Sequence, residues 1–399
     1  KDLLAGFFSL AAIFVYLQRF RGGYWASFAL FSLALLSKPV AVSVPVIIAS
    51  IECGLNAKPW RDVLKKMLPW GLVALPLFWL TKEQQPDGVI EFIVPWKYRF
   101  FIACDAILFY VRQVLLPWSL TLNYGRTPEW VMQSRWLWAS APALILLLAL
   151  IAFRKYRAVW VTSAVIFIAN LIPTSGLVNF YYQKYSTVAD RFAYLSMLGP
   201  ALGVAWIYPR VPNQWAKLAL MLVLLALPLK TVVQLSYWRS NLSLVTHMTE
   251  LNPTADNHTN MGSMLAFHLD GLNPVPGTLE RPRVAVSDPD ARRHLNRRIF
   301  YHLFEAVRLN PQGWEAYHYL GQRYAALGRW GEAEKMYARA RELKTDSPEL
   351  FNDYGIALAE QKRLDDAIRF FRNALVLKKD FPNAEKNLAL ALKLQKNHD

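Results

Sequence analysis

Laid over itself at an offset of 34 residues, the C-terminal part of this chain repeats: Tyr317, Leu320, Gly321, Tyr324, Ala333, Tyr337 and Ala340 fall on Phe351, Tyr354, Gly355, Leu358, Ala367, Phe371 and Ala374. A period of that length belongs to stacked helix pairs, each too small to bury its own apolar face. The small residues let two antiparallel helices approach closely, and the aromatics fill the space beside them. The register runs on into Leu388 and Ala389, and Pro311 stands where a preceding partial repeat ends a helix. A weaker unit starts at Leu251-Asn252-Pro253, interrupted by a Pro- and Asp-rich loop from Asn273 to Asp290.

Everything before about Trp238 has a different texture. The chain is 54% hydrophobic and 14% aromatic with mean hydropathy above zero, and that apolar content is concentrated ahead of the repeats. Uncharged runs cover Leu3–Leu17, Tyr24–Ser37, Pro39–Ile51, Met67–Thr81, Trp136–Phe153, Ala158–Tyr182, Phe192–Pro209 and Leu218–Leu229. Crossing a bilayer takes roughly 20 residues, so about eight spans are expected where flanking residues extend these runs. The fold class expected is all-α: a polytopic helical membrane domain over 1–236, a linker with a degenerate repeat over 237–295, and a helical-repeat solenoid over 296–399. Lys38-Pro39 is read as a turn between two helices, since proline removes a backbone donor and lysine is costly at mid-bilayer. Asp105 and Arg112 make Phe100–Trp118 an interfacial or re-entrant helix rather than a span. Lys1 leads directly into an apolar run without a signal-peptide n-region, so an N-terminally truncated chain is expected.

Basic residues orient the array. Arg19 and Arg21, then Lys58, Arg61, Lys65 and Lys66, then Arg154, Lys155 and Arg157, then Arg210 and Lys217 fall in alternate connections, which places those connections in the cytoplasm. The Lys38 turn, Lys82–Arg135, the Gln183–Arg191 loop and the repeats are then extracytoplasmic. The net charge of +16 is scattered between apolar runs and not gathered on one soluble face, which argues against nucleic acid. Cys53 and Cys104 sit far apart in or beside apolar segments and read as buried thiols. The histidines all follow Trp238 at irregular spacing, which does not make a metal site, and no Walker A loop, H-E-x-x-H or G-x-S-x-G motif occurs. Asn241-Leu-Ser243 and Asn257-His-Thr259 are glycosylation sequons on the expected outer side.

The repeats have the spacing and small-residue packing of tetratricopeptide repeats, whose concave surfaces bind polypeptide segments. Asn352, Arg323 and Lys386 occupy variable positions and are candidate exposed contacts. Ahead of them, Lys1-Asp2-Leu3-Leu4, Leu36-Ser37-Lys38-Pro39 with Pro45, Leu116-Pro117-Trp118-Ser119-Leu120, Ile172-Pro173-Thr174-Ser175-Gly176, Ala189-Asp190-Arg191-Phe192-Ala193-Tyr194-Leu195 and Tyr237-Trp238-Arg239 occur in an order that resembles the transmembrane and tetratricopeptide-repeat proteins, O-mannosyltransferase-like and of GT-C type. The resemblance covers essentially the whole chain. It implies a membrane glycosyltransferase with no separate cofactor, taking sugar from a polyprenyl-phosphate donor to an extracytoplasmic protein, with a catalytic acidic loop ahead of Lys1. On that reading Arg191, Lys184 and Lys38 bind the donor phosphate, while Asp190 and Tyr194 orient the site; a guanidinium offers phosphate two directed hydrogen bonds. Two other roles fit the same pattern: charges at span ends that serve as interfacial anchors, and a non-catalytic membrane-anchored scaffold for envelope or secretion assembly. A transporter is a further class, but the runs carry no charged pairs within them.

Overall fold

The computed structural model describes residues 1–83, 94–153, 155–177, 181–271, 286–344 and 346–396, and excludes the side chains of Phe78, Thr81, Lys82, Glu83, Tyr181 and Lys184. Among the described residues every regular element is helical, and the chain divides into two compact units, Lys1–Gln234 and Leu235–Asp399. The first unit contains α1 (Asp2–Leu17), α2 (Gly23–Ser37), α3 (Val44–Gly54), α4 (Trp60–Glu83), α5 (Trp96–Leu115), α6 (Pro128–Gln133), α7 (Leu137–Ala152), α8 (Arg157–Leu171), α9 (Leu198–Ile207) and α10 (Gln214–Tyr237), which runs past its end. A 3₁₀ turn, Pro39–Ser43, separates α2 from α3, because Pro39 lacks the N–H needed to continue α2.

Trp70 of α4 is fully buried and stacks on Phe31 at 4.8 Å between centroids, with Tyr16, Tyr24 and Phe28 around it. A second core joins α5, α7 and α8 through Tyr110, Leu144 and Leu171. Small residues make the closest crossings: a Cβ on Gly199 would lie 2.3 Å from the Ser163 carbonyl of α8, and one on Gly54 would meet Thr162 Oγ1 at 2.0 Å. Close backbone approach of this kind is how helices associate where apolar burial alone gives no preference.

The outside of this unit is apolar. Leu3, Phe7, Leu10 and Phe14, spaced three and four apart on one face of α1, are exposed, and α10 buries none of its side chains. Two helical segments, Arg157–Thr174 and Gln214–Tyr237, are long and apolar enough to cross a membrane; Asp2–Leu17, Gly23–Ser37, Pro39–Gly54 and Leu137–Ala152 are shorter apolar helices. The expectation of about eight spans is therefore met at spanning length only twice among the described residues, since a 15-residue helix reaches only about 22 Å.

The second unit contains α11 (Asn241–Leu251), α12 (Ala255–Asp270), α13 (Pro289–Leu309), α14 (Trp314–Ala326), α15 (Trp330–Leu343), α16 (Pro348–Glu360), α17 (Leu364–Leu377) and α18 (Pro382–Lys396). Ser240, Thr254, Asp288 and Ser347 cap α11, α12, α13 and α16 by accepting from the third helical backbone N–H. The offset read from the sequence is an actual packing register. A Cβ on Gly321 would lie 2.4 Å from the Tyr337 ring, and one on Gly355 2.6 Å from the Phe371 ring. In the weaker unit that the sequence starts at Leu251-Asn252-Pro253, Gly262 of α12 faces Leu303 of α13 in the same way, at 2.6 Å. Leu303 lies 34 residues before Tyr337, so α12 and α13 form a repeat with an enlarged connection. Most of the expected Asn273–Asp290 interruption lies outside the described residues, as do parts of the Lys82–Arg135 connection and Arg154. Gly328 and Lys362 occupy equivalent turns at φ +71° and +63°; the lysine adopts there a left-handed conformation that glycine adopts without steric cost.

Where the last pair holds Phe351 against Phe370, the α12–α13 pair holds His258 against His302, with their Nδ1 atoms 3.0 Å apart. Burial and the neighbouring His258 push His302 down from 6.5 to about 4, and burial lowers His258. Replacing Gly321 by tryptophan should therefore destabilise the 235–399 unit by about 3 kcal/mol or more through overpacking against Tyr337, seen as an early loss of far-UV ellipticity on heating. The histidine pair adds a pH dependence. With the folded pKa of His302 below the unfolded 6.5, the unfolded chain takes up the proton first; stability is complete above pH 6.5 and falls as pH drops toward 4. Melting between pH 7 and 4 should show this slope, and His302→Phe should flatten it.

Candidate functional site

Because α1 and α2 are antiparallel, the start of α1 meets the end of α2, and the Lys38 ammonium is paired with the Asp2 carboxylate. The C-terminal end of α8 reaches the same place: Asn170, fully buried, accepts from Ser43 Oγ at 2.6 Å and donates to the Ile166 carbonyl at 2.8 Å. The 190–195 segment closes over these ends. Together Asp2, Lys38, Asn170, Arg191 and Tyr194 line a pocket of about 20 Å³, space for one water-sized group. Tyr194 packs so closely on α1 that a Cβ on Gly6 would lie 2.8 Å from its ring.

The loop carrying Arg191 is sewn to the segment after α5. Tyr110 accepts from the Ala189 N–H at 2.8 Å and donates to the Ala189 carbonyl at 3.0 Å, Tyr182 donates to the Leu122 carbonyl, and the Thr187 N–H donates to the Arg126 carbonyl. Asp190 accepts from Tyr124 Oη at 2.7 Å, and Tyr124 accepts in turn from Gln113 Nε2 at 2.7 Å. Burial raises the Asp190 carboxyl from 3.8 to about 6, against the lowering effect of the Tyr124 and Thr121 hydrogen bonds. Burial and the adjacent carboxylate push the Tyr124 hydroxyl well above its ordinary range.

The sequence-predicted residues divide accordingly. Arg191, Lys38 and Tyr194 come together at one pocket, and the Lys184 side chain lies outside the described residues. Asp190 orients a tyrosine, Tyr124, and not Arg191. The Arg191 guanidinium lies over the Tyr182 ring at 4.2 Å and near Phe192 at 5.2 Å, with no ion pair among the described residues. Its cationic face is thus held by rings while, among the described residues, its N–H groups meet no carboxylate, whereas Lys38 is already paired with Asp2. Asp2, Asn170, Tyr110, Tyr124 and Tyr182 were not singled out as site residues. Only the short Asp2-containing motif carried any signal, since the others gain their roles through partners tens of residues away.

In the repeat unit a polar ladder links the first helices of successive pairs. Asp353 Oδ2 is 2.8 Å from His318 Nε2 and accepts from Gln322 Nε2 at 2.7 Å, and Asn387 donates to Asn352 Oδ1 at 2.9 Å. Two expected exposed contacts are corrected here. Arg323 is buried, 2% exposed, and bonded to Asp270 at 2.9 Å; Asn352 is buried within the ladder. Both serve helix stacking, and Lys386 alone of the three is exposed. Among the described residues no cluster of His, Cys, Asp and Glu could hold a metal ion, and Cys53 and Cys104 are free thiols.

No protein-family model matches the chain, and no curated protein matches it. Among solved structures it is similar to a thermophilic TPR protein of Thermus thermophilus, at 19% identity, over 41% of this chain and 77% of that one, with a TM-score of 0.33. The second unit is a TPR-like helical repeat on its own packing, by the recurring contacts of Gly321 with Tyr337 and Gly355 with Phe371.

Asp190 yields a test of the loop. Its folded pKa lies above the ordinary value, so the folded chain binds the extra proton between about pH 4 and 6, and stability falls as pH rises through that window. Asp190→Asn keeps an acceptor for Tyr124 without the buried charge. Its melting midpoint should exceed the parent's at pH 7, by the equivalent of about 1–3 kcal/mol, and converge with it near pH 4.

Proposed function

We propose that this chain is a multi-pass membrane protein that transfers a sugar from a polyprenyl-phosphate donor to an extracytoplasmic polypeptide. The donor phosphate is held by Arg191, and the repeats hold the acceptor. One observation carries the reading: Lys38, Arg191 and Tyr194, widely separated in sequence, line one pocket with Asp2. That pocket is at the C-terminal end of α8, whereas the basic connections gather at its other end, where Gly54 abuts Thr162 and the Tyr156 ring meets Trp206. With basic connections cytoplasmic, the pocket faces outward, as does the chain after Trp238. Membrane insertion is supported by the outward leucines and phenylalanines of α1 and by α10, since so much contiguous exposed apolar surface is a liability in water.

Chemically, the leaving lipid phosphate gains negative charge as the glycosidic bond breaks. Arg191 stabilises that charge best if its orientation is set beforehand, and stacking on Tyr182 does this. A volume of about 20 Å³ is too small for a whole phosphate, so on this reading the phosphate binds at the mouth of the pocket, beside the exposed Arg191 and Tyr194. A second reading, a non-catalytic membrane-anchored repeat scaffold, is favoured by the Asp2–Lys38 pair, which already neutralises one of the proposed phosphate ligands.

The two readings separate on Arg191. Arg191→Ala should weaken binding of a polyprenyl-phosphate sugar by roughly 10- to 100-fold, and Arg191→Lys should weaken it less while still impairing turnover, because an ammonium cannot make the paired, planar contact. Donor binding and sugar transfer by detergent-solubilised chain are the measurements. Unchanged values in both variants would leave Arg191 as an interfacial anchor and favour the scaffold.

A further inference from the structure

At the opposite end of the first unit lies a larger cleft, about 510 Å³, lined by Tyr16, Arg19, Phe20, Tyr24, Lys58 and Lys66. It is built from the α1–α2 and α3–α4 connections, far apart in sequence and both basic. Two of its lining cations converge on Glu52, 1% exposed, whose carboxylate accepts from Arg19 at 3.1 Å, from Asn56 at 2.8 Å and from the Lys58 ammonium. One buried carboxylate thus fixes two cations side by side at the cleft. Lys66 is the third, and its ammonium pairs with no carboxylate among the described residues; Asp62, one turn back on α4, is exposed and likewise unpaired. The charge at the cleft is therefore positive, three cations against Glu52.

Two features indicate that this is a built site. Arg19 is held at φ +52°, a left-handed conformation that a side-chain-bearing residue rarely adopts, and its guanidinium reaches Glu52. Tyr24 Oη donates to the Lys66 carbonyl at 2.7 Å, which ties the α2 start to the lysine-bearing turn of α4. Phe20 lines the cleft, and Trp25 at the start of α2 and Trp60 and Leu64 at the start of α4 follow on the same connections; all four are more than half exposed. Fixed cations beneath exposed rings match a ligand with a phosphate at one end and hydrocarbon at the other.

We propose that this cleft binds the phosphodiester headgroup of an anionic membrane lipid, with Arg19, Lys58 and Lys66 on the phosphate and the acyl chains along Phe20 and Trp25. The proposal rests on the membrane-inserted reading of the first unit, but not on the sugar chemistry assigned to the other end. A free phosphate would use the same cations and gain nothing from the rim.

The test uses the full chain reconstituted in nanodiscs of phosphatidylcholine containing a minority of phosphatidylglycerol, with lipids retained after release counted by native mass spectrometry. The parent should retain phosphatidylglycerol preferentially. Lys66→Gln, which breaks no ion pair, should lower that preference by roughly five-fold, and Arg19→Gln with Lys66→Gln further still. Polyprenyl-phosphate sugar binding should be unchanged in Lys66→Gln; loss of sugar binding in the parent with lipid preference intact would remove the donor reading and leave this one standing. Equal retention of the two lipids by the parent, or an undiminished preference in Lys66→Gln, would overturn the proposal. So would complete displacement of phosphatidylglycerol by millimolar inorganic phosphate, which would identify a free-anion site, or a chain that stays monodisperse without detergent and binds no vesicles.

Discussion

Tyr110 holds the first unit's loop architecture together. Its hydroxyl uses both hydrogen-bonding capacities on one residue, donating to the carbonyl of Ala189 and accepting from its N–H. A buried backbone group left unpaired is expensive, so the two bonds satisfy Ala189 completely and fix the chain immediately before Asp190. Asp190 then meets Tyr124, and Arg191 is turned the other way onto the Tyr182 ring. Adjacent opposite charges that could have formed a local pair are separated by the backbone direction that Tyr110 imposes. That separation leaves a guanidinium available to an external anion.

The two ends of this unit treat buried charge differently. At the Arg191 end a half-buried carboxyl has no ion pair among the described residues, and its pKa rises to about 6. At the other end Glu52 is buried beneath two cations and an amide, and its role is to hold them. A buried carboxylate organises cations when they come from loops it can reach. It remains a liability when only hydroxyl and backbone donors reach it.

In the repeat unit, one steric relation recurs while the chemistry around it varies. Gly262, Gly321 and Gly355 each leave room for a facing side chain, Leu303, Tyr337 and Phe371. The neighbouring contact is a phenylalanine pair in the last repeat and a histidine pair in the first. Shape is kept because the helices must approach to the same distance, and polarity can change because neutral imidazoles fill much the same space as rings. The protonated pair would fill the same space but bury like charges against each other.

Much of this was legible in the residues alone. Helical periodicity is local, so the uncharged runs, the proline break after Lys38 and the 34-residue register determined an apolar helical part followed by a helical repeat. Motif order drew attention to Lys38, Arg191 and Tyr194. Sequence did not disclose that Asp2 neutralises Lys38, that Arg323 and Asn352 are buried, that Gly262 faces Leu303, or that two basic connections meet at Glu52. Each of these depends on which helix ends become neighbours, and that is settled by close-packed crossings such as Gly199 on α8 and Gly54 on Thr162. Contacts of that kind join residues far apart in the chain, and a one-dimensional pattern carries no distance between them.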